Sequence, residues 1–394
     1  LTTLRTSTSA LQTSLTAKSH QRLDYLDALR GLAALSVICF HYNLTYGVPY
    51  NTQPRVRMIV NDSPLHLWWD GFAAVSLFFV LSGLVLSIRH FSPSARPNLG
   101  GFSYSGFLVS RICRILLPYL AVLTLSAMAW HFSAEHLAGP ARSPWFSAFW
   151  RDSPTSKALL DQANLFELDN GGKFKLIPQA WSLAIEIVLS LLVPVGVLIA
   201  MRSTLWLLIA ACIAGMMGGL SHYAVLFAMG IALGKHFQQI VAWLQPRAVS
   251  RAALMVFAIV LYGYRFVLPN IHLLHDGSID WYISGIGAAM MLMLASASAS
   301  ARAFLSHGIM HHIGRVSYSI YLSHFAILLA VTPRFMLLVA SHTKLHWIYL
   351  WAIGLVFTCA ITIAISDLLY RLVEEPTIAL GRYLSAKTAK MVSI

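Results

Sequence analysis

Arg30 and His41 are separated by ten residues, Gly-Leu-Ala-Ala-Leu-Ser-Val-Ile-Cys-Phe, in an otherwise apolar stretch. In a helix this spacing is a rise of about 16 Å, so an arginine at one edge of a bilayer puts the histidine near or beyond its midplane. Burying an unpaired ionisable group there costs at least a few kcal/mol, which makes each a functional candidate. An imidazole can act as a general base, and a guanidinium can clamp an anion through paired hydrogen bonds.

Other residues with chemistry to offer fall at related depths. His41 comes out in the outer half of the membrane, and Glu186, a few residues into a span that opens near Trp181, comes out at a similar level. A carboxylate at that level could fix the tautomer of the imidazole and raise its basicity, or the two could form a structural polar pair between helices. Ser82 and Gly83 fall close to the middle, where they either allow close helix packing or leave room for a narrow acyl or thioester chain. His324, with Tyr318 and Tyr321 before it, falls in the inner half or at the centre, and these groups either bond across helices or line a polar tunnel. Arg30, Arg89, Arg96, Arg111 and Arg114 gather at the inner edge, as a clamp for a phosphorylated ligand or as topology determinants and lipid-headgroup contacts. The histidines show no metal-ligand spacing, so no metal is assigned.

Such groups need a scaffold, and the composition says which solvent it meets. Hydrophobic residues make up 57% of the chain and charged residues 11%, with a mean hydropathy of +0.67; soluble domains carry about 25% charged residues. An all-α, polytopic membrane bundle follows. The net charge of +13 lies between apolar segments and not in one patch, which favours topology over nucleic acid as its meaning. Cys39, Cys113, Cys212 and Cys359 are scattered without CxxC spacing and read as small buried hydrophobes.

Ten spans are expected, near 27–43, 72–89, 111–131, 181–201, 203–218, 220–235, 251–268, 281–299, 315–333 and 348–371. Glycines at 215, 218 and 219 make 203–235 either a hairpin of two short helices or one broken helix. With the N-terminus inside, eighteen Arg and Lys residues fall in cytoplasmic segments and ten outside, five of the ten in a loop at 132–180 that carries matching acidic residues. Both termini are therefore expected in the cytoplasm. Residues 1–21 lack the pattern of a signal peptide and read as a disordered cytoplasmic tail, 22–382 as the membrane domain, and 383–394 as a second cytoplasmic tail. The 132–180 loop is rich in aromatics, among them Trp145, Phe149, Trp150 and Phe174, which suits packing on the membrane surface or lining a site. No internal repeat is visible.

Taken in order, these motifs resemble the acyltransferase 3 family of bacterial integral-membrane acyltransferases. Leu26-Asp-Ala-Leu-Arg30 with His41 matches its opening signature, Phe78-Phe-Val-Leu-Ser-Gly83 looks like its second motif, and Arg111-Ile-Cys-Arg-Ile-Leu-Leu-Pro118 like its third. Trp181-Ser-Leu-Ala-Ile-Glu186 is similar to its tryptophan-to-glutamate motif, while Ser317 to His324 and Tyr370 to Pro376 look like the closing pair. Each motif is weak alone; six in order over nearly the whole chain are specific. Some members carry a hydrolase-like domain after the last helices, where a short basic tail is expected here after Pro376.

The resemblance implies transfer of an acyl group, most often acetyl, from cytoplasmic acyl-CoA (acetyl-CoA) to a hydroxyl of an extracytoplasmic glycan or lipid-linked sugar, in the bacterial cytoplasmic membrane. It implies His41 and Glu186 as catalytic residues, with the glutamate orienting the base. Arg30, Arg111, Arg114 and Ser82 would hold the donor, and Trp181, Tyr318 and His324 would contact substrate. Direct attack by the activated hydroxyl is favoured over an acyl-enzyme on His41 or Ser82. Carbohydrate and membrane lipids are the expected partners. A proton-coupled transporter or flippase of a glycan or lipid is the competing class. A structural or sensory protein is a third, and it would tolerate His41→Gln.

Overall fold

The computed structural model describes residues 24–47, 53–61, 63–91, 103–131, 143, 145, 148–150, 153–167, 174–217, 219–267 and 277–392. Among the described residues all regular structure is helical. Residues 1–21 and Arg96 lie outside them.

The helices are α1 (Asp24–Tyr46), α2 (Pro54–Val60), α3 (Gly71–Ser87), α4 (Tyr104–Trp130), α5 (Ser156–Ala163), α6 (Ala180–Arg202), α7 (Thr204–Met216), α8 (Tyr223–Leu244) and α9 (Ala248–Tyr262). They continue as α10 (Tyr264–Val267), α11 (Gly277–Ala297), α12 (Ala299–Leu305), α13 (Gly308–Arg315), α14 (Ser317–Ala330), α15 (Thr332–His342), α16 (Trp347–Leu369) and α17 (Glu375–Val392). Short polar side chains set several starts by satisfying the orphan amides of the first turn. Asp70 accepts from the Ala73 amide at 2.9 Å ahead of α3, and Ser103 accepts from the Gly106 amide at 3.1 Å ahead of α4.

Among the described residues six helices are long and apolar enough to cross a membrane, and the bent pair α13–α14, turning by 72°, makes a seventh if it is one span. The count of ten is thus not reached on length and composition, for two physical reasons. The expected spans at 203–218 and 251–268 are helices of 13 and 15 residues, below the roughly 20 that a bilayer core requires. The expected span at 27–43 lies in α1, whose first turns carry Asp24, Asp27 and Arg30. The region 203–235 resolves as a helical hairpin: a 3₁₀ turn at Gly219–His222 joins α7 to α8, and α7 packs back along α8 with Thr204 Oγ1 2.8 Å from His236 Nε2.

α3 is the hub. It packs on α1, α6, α8 and α11, and 67% of its apolar window is buried, against 22% for the long helix that starts with α16. A helix apolar all round belongs in such a place. The tightest approach is α3 on α8: a Cβ at Gly83 would strike the Phe227 carbonyl, and one at Gly230 the Val80 carbonyl. Close packing is therefore what Gly83 provides. Gly230→Val is expected to destabilise the bundle by about 3 kcal/mol, read as a lower thermal unfolding midpoint in detergent; an unchanged midpoint would mean the two helices can separate freely.

α1 belongs with the C-terminal helices. Gly31 lies against Gly314 of α13, and Ala34 and Ile38 cluster with Ile313, Val316 and Ile320. At its far end Tyr42 donates to the Trp351 carbonyl at 2.8 Å and Tyr46 to that of Leu328 at 3.0 Å. Beyond α16 a π-helical turn at Tyr370–Glu374 leads into α17, which packs along α4. The stretch after residue 382 is thus helical through Val392.

The described parts of the 132–180 loop are built into the protein. The Ser143 amide donates to Thr45 O at 3.0 Å. Trp150, with φ of 56°, is pinned by its indole donating to Leu176 O at 3.1 Å, while its carbonyl accepts from the Trp130 indole at 2.9 Å. Phe174, Leu176 and Ile177 are buried.

Candidate active site

α1 brings His41 and α14 brings His324 to one place. His41 Nδ1 lies 2.9 Å from His324 Nε2, and the rings are stacked with centroids 5.1 Å apart and planes within 10°. The other nitrogen of His324, Nδ1, is 2.8 Å from Tyr321 O. A carbonyl can only accept, so His324 Nδ1 carries the proton and its Nε2 is a lone pair. That lone pair can be bonded only by a proton on His41 Nδ1. The chain of two imidazoles therefore leaves His41 Nε2 unprotonated and available as a base.

The chain is anchored twice more. Gln179, just before α6, donates through Nε2 to Tyr321 O at 3.0 Å and to Leu322 O at 3.2 Å. The Tyr321 and Ser182 hydroxyls bond at 2.6 Å. His324 is 1% exposed, whereas His41 is part-exposed. Trp145 of the loop stacks on the His41 ring at 5.5 Å with planes within 11°, and Phe325 meets it edge-on at 5.9 Å.

Glu186 is not the partner of His41, as its estimated depth suggested. Its Oε1 accepts from Ser82 Oγ at 3.1 Å and from Arg111 Nη2 at 3.5 Å. The reason lies in packing: α6, which carries Glu186, lies on α3, α4 and α8, while α1 has α14 alongside it. Arg111 is buried and also donates from Nε to Ser190 Oγ at 3.3 Å.

Two cavities meet at this second cluster. One, of about 50 Å³, is lined by Arg30, Arg111, Arg114, Ser82, Glu186 and Tyr318. The other, of about 30 Å³, shares Arg30, Ser82, Glu186 and Tyr318 and continues to Ser182 and Tyr321, beside the histidine pair. The Tyr318 hydroxyl donates to Ile115 O at 2.7 Å, joining α14 to α4. An arginine end and a histidine end are thus linked by a polar seam through an apolar bundle. Glu374, buried on the π-helical turn, accepts from Ser319 Oγ at 2.7 Å.

Of the expected site residues, Arg30, Arg111, Arg114, Ser82, Glu186 and Tyr318 share one cavity wall, and His41 and His324 form the pair beyond it. Trp181 stands apart in an aromatic group, 5.5 Å from the Tyr223 ring and 6.1 Å from that of Trp281. Sequence reasoning missed Gln179 and Ser182. The signal was there: a primary amide two residues ahead of the Trp181 motif, at the mouth of an apolar span. Among the described residues no group of three His, Cys, Asp or Glu side chains could hold a metal.

A family model described as an acyltransferase domain matches residues 23–371. No curated protein and no solved structure matches the chain. With nearly the whole bundle covered, from α1 to the start of the π-helical turn, the chain belongs to the acyltransferase 3 family of membrane acyltransferases.

Proposed function

We propose that the protein moves an acyl group, acetyl in the simplest case, from cytoplasmic acyl-CoA to a hydroxyl of an extracytoplasmic glycan or lipid-linked sugar. In this reading it lies in a bacterial cytoplasmic membrane with both termini inside. The observation that carries it is the His41–His324–Tyr321 chain, which makes His41 Nε2 a lone pair at the end of a polar seam that starts among arginines.

The donor's phosphates pair with Arg30 and Arg114, and its thioester arm runs past Ser82 toward the histidines. His41 Nε2 takes the proton of the acceptor hydroxyl as that oxygen attacks the thioester carbonyl. The tetrahedral intermediate collapses with cleavage of the carbon–sulfur bond, and the departing thiolate recovers the proton from His41. His324 is a positioning residue: it holds the tautomer and shares the charge that His41 gains. Glu186 serves the donor side, neutralising Arg111 and receiving the Ser82 hydroxyl.

Hydrogen bonds to charged groups are worth about 1.5–3 kcal/mol, so Arg30→Ala and Arg114→Ala are each expected to raise the KM for acetyl-CoA by about 10–100-fold. kcat should change less, and added salt should weaken donor binding less than in the wild type. A fall in kcat at unchanged KM would remove these arginines from donor binding.

The deciding experiment follows label from radiolabelled acetyl-CoA into envelope polysaccharide, in membranes holding equal amounts of wild type or His41→Ala. Label that depends on His41 supports the reading. Label indifferent to the substitution removes His41 from the mechanism, and no label with the wild type favours a transporter.

A further inference from the structure

The N-terminal ends of α3 and α11 carry buried polar atoms that the acyl-transfer chemistry does not use. Asp70 is 1% exposed and Asp280 6%. One oxygen of Asp70 caps α3, and one of Asp280 meets Arg265 Nε at 3.3 Å. Among the described residues the other oxygen of each, Asp70 Oδ2 and Asp280 Oδ1, has no hydrogen-bond partner, and neither has the buried indole nitrogen of Trp69. Buried polar atoms are nearly always paired, and each orphan costs about 1–3 kcal/mol. Burial holds the Asp70 carboxyl up at about 6 in spite of the Ala73 and Phe72 amides and the nearby Arg265.

The pattern of orphans selects the chemistry of what would satisfy them. Two carboxylate oxygens repel an anion. An indole N–H has nothing to offer a metal ion, and Arg265 already neutralises one of the two charges. Hydroxyl groups both give and take hydrogen bonds, and so match all three atoms.

Aromatic rings flank the same place. The Arg265 guanidinium lies 4.5 Å over the Phe72 ring, and Phe72 meets Trp281 edge-on at 5.3 Å. Phe72 is 37% exposed and Trp281 part-exposed, so rings are available to pack on the apolar face of a sugar. The rings also lead back to the base: Phe72 is 5.5 Å from Phe40, which is 5.4 Å from His41.

We propose that Asp70, Asp280, Arg265 and the Phe72 and Trp281 rings form the acceptor subsite, holding a sugar unit of the glycan beside the unit whose hydroxyl meets His41. This rests on the acyl-transfer reading. The subsite recognises a polyhydroxylated, uncharged sugar ring, with carboxylates accepting hydrogen bonds from its hydroxyls and Arg265 donating to its oxygens.

The test uses the full chain reconstituted in liposomes, with acetyl-CoA and polysaccharide extracted from the envelope of the native host. Asp280→Asn and Trp281→Ala are expected to raise the half-saturating polysaccharide concentration by about tenfold, the equivalent of one lost hydrogen bond or packing contact. The KM for acetyl-CoA should stay within about twofold, since a subsite contact adds to acceptor binding alone. Polysaccharide should also quench tryptophan fluorescence in the wild type and less in Trp281→Ala. Arg265→Lys and Trp281→Phe keep the ion pair and the packing, and serve where the first variants fail to fold; they too should weaken the acceptor alone. Unchanged acceptor saturation in folded variants would overturn the subsite while leaving acyl transfer intact. Parallel losses in donor KM and thermal midpoint would make the cluster a structural lock. Absence of transfer by the wild type would sink the acyl-transfer reading, and the subsite with it.

Discussion

His41→Ala is expected to lower the rate of acyl transfer by about 10²–10⁴-fold, the range that a positioned general base contributes, with a thermal midpoint lowered only by what it costs, about 1–3 kcal/mol, to leave the buried His324 Nε2 without its partner. The loss of rate should far exceed what that loss of stability explains, since the protein stays folded in the assay. Replacement of its partner separates base from positioner. His324→Ala removes the acceptor that holds His41 Nδ1–H, and a loss of about 10–100-fold is expected, as for other groups that orient a functional histidine. His324→Gln keeps an oxygen that can accept the same proton, so it should recover part of the rate, which a purely space-filling role would not give. If His324→Gln and His324→Ala are equally impaired, the tautomer argument fails.

The second large effect falls on stability. Arg111 is buried with 10% of its side chain exposed and faces Glu186 at 3.5 Å. Removing one partner of such a pair leaves the other uncompensated, at about 3–5 kcal/mol when both are fully buried. Glu186 keeps 22% of its side chain exposed, so Arg111→Met is expected near the low end, about 3 kcal/mol. Glu186→Gln combined with Arg111→Met should be more stable than Arg111→Met alone, because no buried charge is then left without its counterion. Denaturant unfolding of the four proteins, with the two single and one double replacement, reads the coupling directly. Additive losses would show that the two groups do not sense each other.

Much of the site was legible because lipid makes polar residues conspicuous. Arg30, His41, Ser82, Arg111, Glu186 and His324 stand out against apolar neighbours, and the structure brings every one of them to a cavity wall or to the histidine pair. What was misjudged was who meets whom. Depth reckoned at 1.5 Å per residue from estimated span ends treats each helix as straight and normal to the membrane. α13 and α14 are bent by 72° at Val316. Their register on α1 is set by side-chain size: Gly31 lies against Gly314, and ten residues further along each chain His41 meets His324. That match depends on a contact between two glycines 283 positions apart, which periodicity does not reveal. The count of ten spans is likewise not confirmed among the described residues. α7 and α9 are apolar but short, and hydropathy alone does not distinguish a short helix propped by neighbours from one that crosses lipid.

The pairing of α1 with the last third of the chain has a consequence for biosynthesis. α1 binds through Gly31, His41, Tyr42 and Tyr46 to elements translated about 280 to 310 residues later. Until α13 to α16 arrive, its imidazole and two phenols have no lasting partners, and α1 must wait in the membrane or in the insertion machinery. A truncated chain can therefore insert the middle helices around α3 and still lack a base of defined tautomer. Co-expression of two fragments divided between α12 and α13 should restore activity only when both are present, since the final docking step assembles the scaffold and the chemistry together.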